Sequence, residues 1–389
     1  MGKNRKIIIS TGLAMFSMFF GAGNVVFPLD LGRVAGNMNL YAILGLLLTA
    51  VLVPFTGLLT MFLFAGDYES FFKRVGKIPG KIIVFILMTL VGPFLAMPRC
   101  VTLSFSTLQM YLPSVSLFSF SLVAVLLLYV LTVNKRKILD LLGNVLSPLL
   151  LLSLIILIII GLFYHPSAKI VNFSKLDMFF YGLREGYQTL DLLGAFFFSV
   201  VILLGLQRAL GTDFNLADKT NKKTFSRITL LSSLIGAVLL GLIYTGFSVV
   251  SSFYSLSLNV AQKDTILSIL ATTILGSAGG IMANMAVGLA CLTTAMTLAA
   301  VFSEFIQNEV FKNKLNYKSS LVVTLILTFA MSNLGFMGII AIGWPIIQIG
   351  YPVLIVITFL NLANKLFGFK PVKIPVVITL IFSALFYFL

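Results

Sequence analysis

Long apolar runs alternate with short polar breaks along the whole chain, and most runs reach or exceed about 20 residues, the length needed to cross a bilayer as a helix. Reading these runs against the charged breaks predicts helices over 7–29, 39–65, 82–111, 116–133, 138–163, 178–207, 225–254, 276–306, 317–334, 336–364 and 374–389, about 11 spans in all. Several exceed the crossing length, so tilting, kinking or interfacial extension is expected. The longest polar stretches, Gly66 to Lys81, His165 to Asp177 and Arg208 to Arg227, fall well short of the roughly 50 residues of a minimal soluble domain. The expected fold class is an all-α integral membrane protein forming one transmembrane domain. Within the first polar stretch, Tyr68 to Arg74 mixes aromatic and basic residues; it is read as a loop lying on the membrane, with an amphipathic interfacial turn as the alternative.

Composition agrees. Of 389 residues 59% are apolar and only 10% charged, against roughly 25% charged in soluble domains. Lys3, Arg5 and Lys6 before the apolar run from Ile7 to Phe20 have the outline of a signal peptide, but the run continues through Phe27-Pro28-Leu29 as a full span does. The net charge of +15 would direct a soluble protein to nucleic acid. Here 21 of the 27 Lys and Arg residues fall on the N-terminal side of the membrane, four on the other (Arg33, Lys169, Lys175, Lys263) and two within spans (Arg99, Arg184). That asymmetry predicts a cytoplasmic N-terminus and explains the charge without nucleic acid. Cys100 and Cys291 lie inside apolar runs, and His165 is the only histidine, so neither a disulfide framework nor a metal cluster is expected.

Function is sought where the apolar pattern fails. Phe19-Phe20-Gly21-Ala22-Gly23-Asn24-Val25-Val26-Phe27-Pro28 places two glycines, an asparagine and a proline inside the first span. Close packing through small residues is one reading; an interrupted helix lining a cavity is the other. The sixth span is interrupted at the corresponding place, Arg184-Glu185-Gly186-Tyr187-Gln188-Thr189-Leu190-Asp191. Paired interruptions five spans apart predict two inverted five-helix repeats, about 7–163 and 178–364, with an extra helix at 374–389, and mark a transporter's substrate site. Asp191 at membrane depth costs roughly 2.5–3.5 kcal/mol. It is read as a counter-charge for an ammonium group or a proton carrier, the competing readings being a pair with Arg99 or a cap on the second half-helix. Arg99, after Gly92-Pro93 and Pro98 in the third span, is a gate or network residue unless it snorkels. Thr293 and Thr294 offer hydroxyl ligands to an alkali cation or bonds to their own helix. Gly279-Gly280 and Trp344-Pro345 read as packing and kinking features.

The string Phe19 to Pro28, the pairs Gly92-Pro93 and Pro98-Arg99, and the strings Gly143-Asn144-Val145-Leu146-Ser147-Pro148, Gly186 to Asp191 and Cys291-Leu292-Thr293-Thr294-Ala295 together resemble the bacterial branched-chain amino acid:cation symporter family, the system II carriers. The resemblance implies a fold similar to the leucine-transporter type, the bacterial inner membrane, and import of leucine, isoleucine and valine with sodium as coupling ion and no other cofactor. By similarity, the amides around Phe19, Ala22 and Gly23 would hold the substrate carboxylate and Thr189 and Asp191 would face its amino group, with Asn24 and Tyr187 also among the substrate-binding residues. Sodium would sit between the carbonyls of Ser17 and Phe20 and the hydroxyls of Thr293 and Thr294. The chain departs from the family in ending after about the eleventh span, and in carrying Ser106 and Asn144 where relatives commonly have glutamate and lysine. The nearest alternative is a proton-coupled carrier or an exchanger of methionine or other neutral amino acids on the same fold. An enzyme acting on membrane lipid lacks support, since there is no HExxH or exposed nucleophile motif, and no repeated filter motif points to a channel.

Overall fold

In the computed structural model, residues 3–133, 147–164, 166–210 and 219–388 are described. The basic cluster Lys135 to Lys137, His165 and most of the string Gly143 to Pro148 lie outside them. Among the described residues the regular structure is entirely helical: α1 (Lys3–Phe19), α2 (Ala22–Ala35), α3 (39–63), α4 (Tyr68–Lys73), α5 (Lys77–Thr89), α6 (Ala96–Gln109), α7 (Leu117–Thr132), α8 (Ser147–Phe163), α9 (Lys175–Tyr187), α10 (Asp191–Leu210), α11 (Lys219–Phe253), α12 (Ile266–Phe305), α13 (Tyr317–Ser332), α14 (Gly335–Phe367) and α15 (Lys373–Phe388). Among the described residues each predicted span is occupied by helix, the first by α1 and α2, the third by α5 and α6, the sixth by α9 and α10. Large apolar side chains such as Val123, Val130, Met282, Phe382 and Phe386 are exposed on the outside of the bundle, as lipid-facing residues must be.

Two ends of the bundle are distinguished by their hydrogen bonds. At one, Arg33 Nη1 donates to the Asn259 carbonyl (3.4 Å), the Asn37 amide to the Lys169 carbonyl (3.0 Å) and the Lys169 amide to Ser255 Oγ (2.8 Å). This distal end joins the α2–α3, α8–α9 and α11–α12 connections, and it holds the four basic residues assigned to the charge-poor side. At the proximal end Arg74 donates to Asn361 Oδ1 (2.7 Å) and to the carbonyls of Leu360, Phe369 and Lys370, while Asn361 Nδ2 returns a bond to the Phe71 carbonyl (3.1 Å).

The segment Tyr68 to Arg74, expected as a loop, is instead the short helix α4. Asp67 caps it by accepting from the Ser70 amide (3.0 Å), and Phe71 and Phe72 are fully buried against Phe196 of α10, with centroids 5.3 and 5.2 Å away. Two adjacent aromatic side chains reaching the core leave that stretch no freedom to float on the bilayer. The eighth span also differs in detail: helix begins at Ile266, and the break in direction falls at Gly276 (φ +69°) rather than at Gly279-Gly280. Gly280 packs instead, since a Cβ there would stand 2.8 Å from Thr272 Oγ1.

Glycines set the closest helix approaches. A Cβ at Gly45 or Gly182 would run into the carbonyls of Phe179 and Ala42 respectively, so α3 and α9 meet backbone to backbone. α2 likewise lies against α11, where a Cβ at Gly32 would strike the Ser248 carbonyl. These contacts hold the outer half-helices in place around the two interruptions.

Candidate functional site

Both predicted interruptions are present, and they face each other. The α1 helix stops at Phe19 and α2 restarts at Ala22, with Gly21 in extended conformation. Gly21 donates its amide to Asn24 Oδ1 (2.9 Å), so one carboxamide oxygen ties off the first turn of α2. A Cβ at Gly23 would lie 3.1 Å from the Thr189 Cα and carbonyl oxygen. The missing side chain lets the start of α2 rest directly on the second break, where a Cβ would force the two apart by a few tenths of an ångström. There, α9 ends at Tyr187 and α10 begins at Asp191, and Leu190 turns the chain with φ +63°, a strained conformation for a branched side chain.

Asp191 is buried and bonded on both oxygens. Asn24 Nδ2 donates to Oδ1 (2.7 Å) and the Tyr244 hydroxyl of α11 to Oδ2 (2.7 Å); Asn24 Nδ2 also contacts the Tyr244 hydroxyl. Among the described residues no ion pair is formed by this carboxylate, so its pairing with Arg99 is excluded. Arg99, fully buried on α6, instead donates to the carbonyl (2.9 Å) and side-chain oxygen (3.0 Å) of Gln188, bracing the second break. It does not snorkel. The Arg99 guanidinium also stands 5.6 Å from the Phe27 ring centroid.

A cavity of about 40 Å³ lies between the breaks, bordered by Phe19, Ala22, Gly23, Asn24, Thr189 and Asp191 together with Val91, Phe198 and Leu298. It is well below the roughly 300 Å³ typical of small-molecule sites, so an amino acid enters only with rearrangement of the lining. Two larger cavities, about 310 and 510 Å³, contain neither break: one lies at the proximal end by α4 and α5, the other is an apolar groove between α6, α7 and α12. Phe19 packs edge-on against Phe198 at 5.6 Å, and Thr189 donates to the Gly186 carbonyl (2.9 Å). Tyr187, expected at the substrate, does not border the cavity; it is stacked on Tyr351 of α14 at 4.6 Å, and the Tyr351 hydroxyl accepts from the Leu192 amide (3.2 Å).

The residues assigned to sodium are brought together in part. Thr294 Oγ1 donates to the Phe20 carbonyl (3.3 Å) across the first break, while Thr293 bonds its own helix at Ala290 (2.8 Å). Ser17 stands one turn before the break with its hydroxyl oxygen buried and unpartnered. Tyr244, Tyr351 and Gln188 were not identified from sequence. A tyrosine amid an apolar run carries no signal of its own, and only the fold shows that Tyr244 reaches Asp191 and Tyr351 the Leu192 amide.

The profile of the branched-chain amino acid transport protein family matches residues 4–388. The chain belongs to this family. It is 32% identical over 374 residues to the branched-chain amino acid permease BrnQ of Bacillus subtilis, covering 93% of the chain and 82% of that protein. It is 31% identical over 407 residues to a putative branched-chain amino acid carrier protein of Staphylococcus aureus strain USA300, covering 98% and 88%. The family and these relatives are transporters, not enzymes, and the chain is a multi-pass membrane protein. Among solved structures, a manganese transporter of Eremococcus coleocola matches with a TM-score of 0.56 at 14% identity, and a mutant of it with 0.58 at 15%, each covering 98% of the chain and 85% of the other. At that identity the likeness concerns the fold alone.

Proposed function

We propose that this member of the family imports leucine, isoleucine and valine across the bacterial inner membrane, with its N-terminus cytoplasmic, by symport with sodium. The observation that carries the reading is the pair of facing helix breaks with Asp191 between them, held by neutral donors only. An amino acid presents a carboxylate and an ammonium group, and the two sides of this gap offer the complement of each. The amides of Ala22 and Gly23 open the first turn of α2, where the helix dipole favours an anion. Asp191 and Thr189 lie opposite, suited to the ammonium group, and Phe19, Val91, Phe198 and Leu298 supply the apolar surface a branched side chain needs. The carbonyls of Ser17 and Phe20 with the hydroxyls of Thr293 and Thr294 form the oxygen-rich flank suited to sodium.

In this reading 7–163 and 178–364 are inverted repeats and 374–389 is an addition to them. Transport proceeds by alternating access, with the first, second, sixth and seventh spans rocking against the rest. A second reading, proton coupling, is favoured by the same carboxylate, because a buried Asp191 without a cationic partner is suited to carry a proton. Uptake of labelled leucine into proteoliposomes, under a sodium gradient, a proton gradient or neither, separates the two. Sodium-driven uptake blocked by valine supports symport with sodium; uptake driven only by protons transfers the coupling to Asp191; no uptake under either gradient refutes both.

A further inference from the structure

The connection between α11 and α12 carries a lysine that the transport site itself does not use. Lys263 extends from this irregular segment at the distal end into the bundle, with its side chain only 19% exposed. Its ammonium group lies 2.7 Å from Asp30 Oδ2 on α2 and 3.3 Å from both carboxylate oxygens of Glu185 on α9. Both acids are buried, at 0% and 2% side-chain exposure. One cation thus ties together the two half-helices whose inner ends form the breaks. The next residue, Asp264, accepts from Ser106 Oγ of α6 (2.6 Å), so the connection is anchored at the same time to the third span. Phe27 contacts both the half-buried Lys263 and the buried Arg99, its ring centroid 5.6 Å from each, and Arg99 braces Gln188. The order inward from the distal end is therefore Lys263, Phe27, Arg99 and the cavity.

We propose that Lys263 is the outer gate residue of this transporter, a positioning residue whose ammonium holds α2 and α9 closed over the site and whose release from Asp30 and Glu185 opens the path to the outside. The proposal rests on the transport reading and the membrane orientation given above. The charged groups of this cluster contribute little to net stability, because desolvation offsets most of their attraction, and Asp30 keeps a second cation in Arg33 (Nε to Oδ1 2.9 Å), so the arrangement suits a two-position contact of Lys263 better than a permanent brace. Opening also needs nothing to unfold. The connection is already irregular, and each of the three contacts ends on a different rigid helix.

The test reads access directly and needs no substrate. In a Cys100→Ser, Cys291→Ser background, Ala96→Cys at the cavity edge is labelled by a membrane-impermeant maleimide added from the outside to right-side-out vesicles. Lys263→Met is expected to raise the labelling rate about tenfold or more, and Lys263→Arg to leave it near that of the parent. Where Lys263→Met alone misfolds because Glu185 is left without its cation, Asp30 keeping Arg33 (Nε to Oδ1 2.9 Å), Lys263→Met combined with Glu185→Gln removes the unpaired carboxylate and is expected to show the same rise. Unchanged labelling in a folded variant, or a rise seen only from the cytoplasmic face, overturns the proposal. Because labelling is independent of leucine uptake, failure of the gate and failure of the substrate reading are distinguished.

Discussion

Asp191 has its two oxygens held by different helices, through Asn24 on α2 and Tyr244 on α11, so the carboxylate senses the relative position of both. Asp191→Asn keeps the shape but removes the counter-charge; leucine uptake is expected to be abolished while the purified protein remains monodisperse, and uptake at the wild-type rate would end its proposed role. Tyr244→Phe removes one hydrogen bond to a charged group, about 1.5–3 kcal/mol, and should weaken leucine binding by about tenfold or more, measured as a dissociation constant. Thr294 is the residue on which sodium coupling is most readily examined. Its hydroxyl reaches the Phe20 carbonyl at the first break, and Thr294→Ala should raise the sodium concentration needed for half-maximal uptake several-fold with little change in stability. Thr293→Ala should have a smaller effect, since that hydroxyl is occupied by its own helix.

At the scale of elements, the breaks depend on residues that permit close approach. Gly23→Ala would push a methyl group against the Thr189 backbone at 3.1 Å, where neither partner is a flexible side-chain end. Separation of the two breaks by a few tenths of an ångström should cost about 1–3 kcal/mol and lower leucine uptake more than it lowers the amount of folded protein. The interrupted helices themselves were legible in sequence because Gly, Asn and Asp at mid-membrane are costly unless the backbone there is used. The helix α4 was not legible. Its aromatic residues looked like interfacial anchors, and only packing against Phe196 shows that Phe71 and Phe72 point inward.

For the whole molecule, Arg74 at the proximal end links α4 to the end of α14 and the turn beyond it through a side chain and three carbonyls. Arg74→Ala should remove about 1–2 kcal/mol and lower the melting temperature in detergent by a few degrees, with the affinity for leucine unchanged because the cavity is remote. The number of spans, their approximate limits and the charge asymmetry were set by the sequence itself, since hydrocarbon tolerates neither charge nor unpaired backbone, and each span must declare itself in local composition. The family was legible for a related reason: short strings at the breaks have few chemical alternatives. Which groups meet across the bundle was decided by tertiary structure alone. Asp30, Glu185 and Lys263 are far apart along the chain, and the assignment of Lys263 to an outside loop gave no sign that its ammonium is buried between two half-helices. Arg99 could have paired with Asp191 on charge alone, yet the packing of α6 directs it to Gln188. Local composition determines where a segment lies in the membrane; pairing between distant polar groups depends on helix rotation and approach, which only the assembled bundle specifies.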